Sequence, residues 1–247
     1  MSDGLKVFIL GPARSGTSAM FYAMQDVFGL DGEGESHIMP IFQRVAYTFA
    51  RYAESFEGAT GVLANRLDAG AFRQLITDHV CNEYGRIFLY GRFVDKTPGA
   101  EAIAGIPLIH DCFPDARIFL MRRSGIEVVQ SHIQKFNAEF QDACEAWAAC
   151  MAAILEVQKA GVGVLLLDQH DLASSPYTSA AEIATYMGFP EKIQPLAEFF
   201  ANNKVDRMSQ HGWGTQLTLE DVPWTDEQKA MFERMCGSYM RAFSFPM

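Results

Sequence analysis

The sequence lacks the long apolar run that a membrane-spanning helix requires. Its first apolar run, residues 7–10, has only four residues, whereas a helix needs about 20 to cross a bilayer. The residues before it are polar in character and do not resemble the apolar core of a secretory signal. We therefore expect no membrane span and a cytoplasmic protein.

Cysteine is also scarce, and no two cysteines form a Cys-x-x-Cys pair. The five cysteines are an odd number, which fits a reducing compartment better than a disulfide framework. No set of histidines and cysteines has the spacing of zinc ligands. We expect no metal site.

Positive charge is in short supply, because 20 Lys and Arg residues stand against 30 Asp and Glu residues, for a net charge of −10. This balance argues against a broad surface for nucleic acid or for an anionic membrane. With 247 residues, of which 49% are hydrophobic, the chain can bury a full core. No repeat, linker or low-complexity tract interrupts it, so we expect one domain over residues 1–247.

The strongest motif is a glycine loop between a short strand and a helix. The apolar residues 7–10 predict the strand, and apolar residues at helical spacing follow the loop. Gly11 and Gly16 bracket the loop, with Thr17 where a nucleoside-triphosphate loop carries lysine. Backbone N–H groups and the start of the helix then face one point, which favours an anion. We expect a modified, P-loop-like phosphate site to which Arg14 adds charge; the alternative is a loop that only joins strand to helix.

Three further strands, separated by helices, are predicted at residues 86–94, 117–121 and 162–167. This alternation favours a three-layer α/β fold, in which helices flank a mostly parallel sheet of four to five strands. Ligands bind beyond the carboxyl ends of such strands. Because Lys96 follows the second strand and Arg122 and Arg123 end the third, positive charge should collect at one edge of the sheet.

Capping patterns predict the starts of several helices. Residues 124–127 and 179–182 have the Ser-x-x-Glu form of a capping box, and residues 225–228 open the last helix. Ser131 lies two turns beyond Arg123, so an anion beside Arg123 could be held by both side chains. The alternative for Ser131 is a small polar residue packed against the sheet.

Together these segments resemble the sulfotransferase family, whose donor is 3′-phosphoadenosine 5′-phosphosulfate (PAPS). The glycine loop at residues 11–18, the Asp-Lys-Thr-Pro strand end at 95–98 and residues 113–131 carry the resemblance, spread over about half of the chain. It implies a 5′-phosphosulfate site formed by Arg14, Ser15, Gly16, Thr17 and Ser18. It also implies a 3′-phosphate site formed by Arg123 and Ser131. The product would be 3′,5′-adenosine bisphosphate (PAP), and no metal is expected.

The resemblance also implies a catalytic base. One branch of the family uses a histidine in a later loop, and another, with protein-tyrosine and bacterial sulfotransferases, uses a glutamate after the first helix. Residues 34–40, Gly-Glu-Ser-His-Ile-Met-Pro, are similar to the second pattern. Glu35 is therefore implied as the base, with His37 as its rival; the alternative for Glu35 is a solvated acid. Arg14 and Lys96 would stabilise charge on the leaving phosphate and its bridging oxygen.

The acceptor is less defined by the sequence. Aromatic residues between 42 and 56 lie at helical spacing, which is typical of a core but would also suit an acceptor pocket. With the negative net charge, they favour a small hydroxylated acceptor, neutral or apolar, either free or carrier-bound. Lys204 and Arg207 are candidates for a basic segment that closes over the nucleotide. The sequence does not indicate an oligomeric state.

Two other functions stay open at this point. The first is a P-loop-type kinase with a modified loop, in which Asp95 would bind Mg²⁺, although Thr17 replaces the lysine that it needs. The second is a nucleotide-binding module without catalysis, whose partner surface would be the aromatic helix.

Overall fold

The computed structural model describes residues 4–60, 68–88, 91–202 and 216–247. Its centre is one sheet of four strands in the order β2-β1-β3-β4, and every neighbouring pair is parallel. The strands are β1 (Lys6–Leu10), β2 (Phe93–Lys96), β3 (Arg117–Arg122) and β4 (Leu165–Asp168). The predicted α/β fold with a parallel sheet flanked by helices is confirmed.

Helices lie between the successive strands and after the last one. They are α1 (Thr17–Phe28), α2 (Ile38–Ser55), α3 (Ala69–Ile87), α4 (Ala100–Ala104), α5 (Ile106–Cys112), α6 (Gly125–Phe136), α7 (Phe140–Lys159), α8 (Gln169–Ser174), α9 (Pro176–Met187), α10 (Ile193–Asn202) and α11 (Asp226–Ala242), with a 3₁₀ turn at Pro190–Lys192.

Two hydrophobic clusters lie on the two faces of the sheet, because successive strand residues point to opposite sides. Val7 and Ile9 belong to the cluster that includes apolar residues of α1, α9 and α10. Phe8 and Leu10 belong to the other, with residues of α3, α5, α7 and α11. All four side chains are at most 1% exposed. The apolar run of β1 is thus explained by burial on both faces, as is usual for a parallel sheet.

The carboxyl ends of β1, β2 and β3 lie side by side at one edge of the sheet. Beyond the strands, the Thr97 N–H donates to the Ile9 carbonyl at 3.1 Å and the Gly99 N–H to the Gly11 carbonyl at 2.8 Å. Gly11 has φ of 145°, and a Cβ atom there would lie 2.3 Å from the Met121 carbonyl oxygen. Only glycine fits this close approach of the loop to β3.

Two strands differ from the prediction. The second was expected at residues 86–94, but α3 continues to Ile87 and the strand is Phe93–Lys96. Residues 86 and 87 belong to the helix because Val80 and Tyr84, at helical spacing, are buried on its inner side. A short apolar run alone does not distinguish a helix from a strand. The fourth strand begins later than expected, at Leu165, and ends at Asp168.

The three predicted caps have different outcomes. At α11, Thr225 and Gln228 form a complete capping box. Ser124 does precede α6, but its side chain makes no capping hydrogen bond. The prediction of a helix start at Ser179 is wrong, since α9 begins at Pro176, where the fixed φ of proline suits a first helical position.

Candidate active site

The glycine loop leads from β1 into the start of α1. Gly16, the residue before the helix, has φ of 84°, and Arg14 has φ of 70°, two left-handed conformations that make the loop tight. The buried Ser15 hydroxyl donates to the Pro12 carbonyl at 2.6 Å, and the Ser15 N–H donates to the same oxygen at 3.3 Å. Ser15 thus stabilises the loop itself, while the positive end of α1 begins at Thr17.

Three of the predicted nucleotide-binding residues lie together, although they come from distant parts of the chain. Arg14 Nε donates to the Ser131 hydroxyl at 2.9 Å. Arg123 Nη1 donates to the backbone carbonyl of Arg14 at 3.2 Å. The glycine loop, the end of β3 and the flank of α6 therefore form one continuous group. The side chain of Arg14 reaches toward the residues implied for the 3′-phosphate.

Arg123 is held in place by neighbours that the sequence did not reveal. Its guanidinium forms an ion pair with Glu127 at 3.0 Å, and these side chains are 9% and 8% exposed. Its backbone carbonyl accepts from the Trp147 indole at 3.1 Å. Glu127, expected to cap α6, is instead the carboxylate that balances a buried arginine. Removing either partner would leave a buried charge, which is strongly destabilising.

Arg122 does not join this group. Its Nε atom lies 3.4 Å from Asp168 on β4, and its guanidinium stands over the rings of Phe243 and Phe245, each at 5.6 Å. Arg122 therefore does not add its charge to the group at the glycine loop, although it ends the same strand. Side chains alternate along a strand, and only Arg123 contacts the glycine loop.

A second group of predicted residues surrounds Lys96 at the end of β2. The ammonium lies 3.0 Å from Glu35 Oε1 and 3.2 Å from the Ser18 hydroxyl. The other carboxylate oxygen of Glu35 lies 3.1 Å from His37 Nε2. The Lys96 side chain is 8% exposed, whereas that of Glu35 is 44% exposed. A buried cation thus connects the start of α1 to a carboxylate that solvent or a substrate can reach.

The pKa of the Glu35 carboxyl is lowered by this environment. Partial burial opposes ionisation, but the hydrogen bond and charge of Lys96 outweigh it, and His37 acts in the same direction. The carboxyl is therefore ionised at neutral pH and can accept a proton.

A hydroxyl network that was not predicted from the sequence surrounds Asp95, next to the Glu35 loop. The carboxylate of Asp95 accepts hydrogen bonds from Ser36 at 2.6 Å, from Thr97 at 3.0 Å and from Tyr84. The Asp-Lys-Thr-Pro motif indicated a functional segment at residues 95–98. Tyr84 lies outside that motif, and the apolar spacing around it predicted only a helix.

A groove of about 680 Å³ opens beside this group. Most of its wall is α2, an 18-residue helix in which only Met39 is buried. The rings of Phe49 and Phe72 stack at 4.0 Å in the wall, and Arg44 forms an ion pair with Glu101 across α2 and α4. The lining residues are His37, Pro40, Ile41, Arg44, Val45, Thr48, Phe49, Tyr52, Phe72 and Glu101.

Three expectations concern features other than the groups described above. Lys204 and Arg207 lie outside the described residues. Within the described ranges, no cluster of three or more His, Cys, Asp or Glu side chains is placed to hold a metal ion. In the same ranges, no helix has the length and apolar character needed to cross a bilayer.

Known proteins provide a comparison for this arrangement. The model of the sulfotransferase family matches residues 6–192. The sulfotransferase domain of the olefin synthase of Synechococcus PCC 7002 is similar in fold, with a TM-score of 0.63, 15% identity and coverage of 100% of this chain and 98% of that domain. The sulfotransferase domain from the curacin biosynthetic pathway has a TM-score of 0.58, 17% identity and 99% coverage of both chains.

A third similar structure is mouse sulfotransferase SULT7A1 complexed with PAP, with a TM-score of 0.50, 10% identity and coverage of 98% of this chain and 86% of that one. At these identities the likeness shows the fold. No curated protein matches the chain.

Replacement of Lys96 by methionine should raise the pKa of Glu35, because it removes the charge and hydrogen bond that favour the carboxylate and leaves the burial that opposes it. A carbon-13 NMR titration of the Glu35 carboxyl measures this shift. The matched control is Lys159→Met, which removes an ion-paired lysine from α7 and should leave the Glu35 titration unchanged. An unchanged pKa in Lys96→Met would show that Lys96 does not control this carboxyl.

Proposed function

We propose that this chain, which belongs to the sulfotransferase family, uses PAPS as its sulfuryl donor and transfers the group to the hydroxyl of a small acceptor. The observation that carries the proposal is the contact among Arg14, Ser131 and Arg123. A nucleotide with anionic groups at both its 5′ and 3′ positions needs two anion sites at fixed separation. The glycine loop offers one of them, and the group formed by Arg123 and Ser131 offers the other.

In this proposal the 5′-phosphosulfate binds at the glycine loop and the start of α1, near Gly16, Thr17 and Ser18. The positive end of a helix favours such a group. The 3′-phosphate binds beside Arg123 and Ser131, where Arg14 adds a further guanidinium. The complex of mouse SULT7A1 with PAP, a structure of similar fold, supports a nucleotide of this kind.

The transfer is an in-line displacement at sulfur. A bond forms between the acceptor oxygen and sulfur, the bond from sulfur to the 5′-phosphate oxygen breaks, and its electron pair leaves on PAP. Catalysis of such a step is mostly positioning and stabilisation of the growing charge. Lys96, with its ammonium 3.2 Å from the Ser18 hydroxyl at the start of α1, is the group that would neutralise this oxygen.

Glu35 takes the proton of the acceptor hydroxyl. Its carboxylate is the form that Lys96 favours, and it is exposed enough to meet a substrate. Once Glu35 is protonated, its ion pair with Lys96 weakens, and the ammonium is then available to the leaving oxygen. Deprotonation of the acceptor and stabilisation of the leaving group are thereby linked through one contact of 3.0 Å.

The groove beside His37 is the proposed acceptor site. A volume of about 680 Å³ suits a small organic molecule, and His37 connects the groove to Glu35. Its wall is largely aliphatic and aromatic, and the charge of Arg44 is balanced by Glu101. These features favour a neutral phenol or apolar alcohol.

The kinase alternative receives no support from the site. The carboxylate of Asp95, its candidate Mg²⁺ ligand, accepts three hydrogen bonds from hydroxyl groups, and Thr17 occupies the lysine position of the loop.

PAP should raise the melting temperature of the protein, whereas ATP with Mg²⁺ should not, because a ligand stabilises the folded state according to its concentration relative to Kd.

Ser131→Ala should weaken binding of PAP more than binding of adenosine 5′-phosphate, which lacks the 3′-phosphate. Ser238→Ala, on the exposed side of α11, is the control and should change neither. Stabilisation by ATP with Mg²⁺ alone would contradict the assigned donor.

Glu35→Gln should retain PAP binding but lower turnover by roughly 100-fold or more, because glutamine cannot accept a proton. Transfer from ³⁵S-labelled PAPS to a panel of phenols and alcohols, including 2-naphthol and 1-decanol, measures the rate. Glu33→Gln, which changes an exposed acid in the same loop, should react normally. Near-normal turnover in Glu35→Gln would remove Glu35 from the role of base, and no transfer by any form of the protein would favour the non-catalytic nucleotide-binding module.

Val45→Asp should raise KM for 2-naphthol about tenfold or more and leave the affinity for PAP unchanged, because it places a charge in the wall of the groove. Tyr47→Asp makes the same change on α2 at a residue that is 61% exposed and does not line the groove. Equal effects of the two variants on KM would show that the acceptor binds elsewhere.

A further inference from the structure

We propose that Asp95 is a positioning residue that anchors the loop carrying Glu35 to the end of β2 and thereby sets the contact between Glu35 and Lys96. This inference rests on the proposed function, in which Glu35 is the base. It assigns to the aspartate of the Asp-Lys-Thr-Pro motif a task different from binding a metal or the substrate.

The anchor is a buried carboxylate with three hydroxyl partners. Asp95 is 3% exposed and pairs with Phe8 in the sheet. Its Oδ2 atom accepts from the Ser36 hydroxyl at 2.6 Å and from Tyr84, and Oδ1 accepts from the Thr97 hydroxyl at 3.0 Å. The Glu35 loop, helix α3 and the segment after β2 therefore meet at one side chain.

In each of these hydrogen bonds the hydroxyl group donates and an Asp95 oxygen accepts. Burial, together with the charge of Asp95, raises the pKa of Tyr84 far above its usual range, so the phenol keeps its proton. Thr97, having donated to Asp95, uses its oxygen to accept from the His37 N–H at 3.3 Å. The two residues that follow Glu35 are thus tied to the end of β2.

The loop needs such an anchor because its backbone is held in an unfavourable conformation. His37 has φ of 53°, in the left-handed region that is unfavourable for a residue with a side chain unless its surroundings stabilise it. The bond from the His37 N–H to Thr97 and the bond from Ser36 to Asp95 provide this stabilisation on either side of the turn.

The position of the anchor next to Lys96 has a chemical consequence. Asp95 and Lys96 are consecutive residues of β2. The strand therefore fixes the spacing between the carboxylate that anchors the loop and the ammonium that contacts Glu35. The charged and titratable groups that contact Glu35 are the ammonium of Lys96 on β2 and the imidazole of His37 in its own loop, while Asp95 contacts the neighbouring Ser36. Release of the loop would take Glu35 away from Lys96, and its pKa would rise toward the ordinary value.

The test measures the carboxyl of Glu35 directly. Ser36→Ala and Tyr84→Phe each remove one hydroxyl that donates to Asp95. A carbon-13 NMR titration of the full chain, with the Glu35 signal identified from Glu35→Gln, should show a raised pKa in both variants. Tyr186→Phe is the matched control, because it removes a tyrosine hydroxyl that contacts the backbone of Ile118, and it should leave the titration unchanged.

The same variants then separate this inference from the proposed function. If both hold, Ser36→Ala and Tyr84→Phe lower kcat by roughly 10- to 100-fold, shift the acid limb of the kcat/KM profile to higher pH and keep the affinity for PAP. A raised pKa without any effect on transfer would retain the anchor and contradict Glu35 as the base. An unchanged pKa of Glu35 in folded Ser36→Ala and Tyr84→Phe would overturn the inference.

Discussion

Parallel pairing of β1 with both β2 and β3 brings the candidate site together. It places the ends of three strands at one edge of the sheet, although those ends are separated by long stretches of sequence. The glycine loop follows β1, Arg123 follows β3, and Lys96 is the last residue of β2. Distances of about 3 Å among their neighbours are therefore a consequence of the sheet.

The second constraint is the cost of burying positive charge in a chain whose net charge is −10. Lys96 and Arg123 are both largely buried, and each has a carboxylate partner, Glu35 for the first and Glu127 for the second. The two pairs differ in a way that fits their proposed tasks. Arg123 and Glu127 are equally buried, which suits a fixed binding site, whereas the exposed Glu35 can meet a second molecule.

The sequence was informative where a feature depends on neighbouring residues. The glycine loop, the capping box at Thr225 and the buried run of β1 could all be predicted, because each reflects local geometry or a period of two or 3.6 residues. Features that depend on contacts between distant segments could not. In the sequence Tyr84 is an ordinary aromatic residue of a helix, and only the packing of α3 places its hydroxyl against Asp95. Glu127 has the spacing of a capping residue, but its side chain pairs with Arg123, which precedes the helix.

In the proposed function, one nucleotide spans the glycine loop and the group formed by Arg123 and Ser131. A crystal structure of the protein soaked or grown with PAP would show whether it does. We expect the 5′-phosphate at the start of α1 and the 3′-phosphate within hydrogen-bond distance of Arg123 and Ser131, with Lys96 beside the 5′ end. Density for PAP with its 3′-phosphate in solvent, or bound away from the glycine loop, would contradict it.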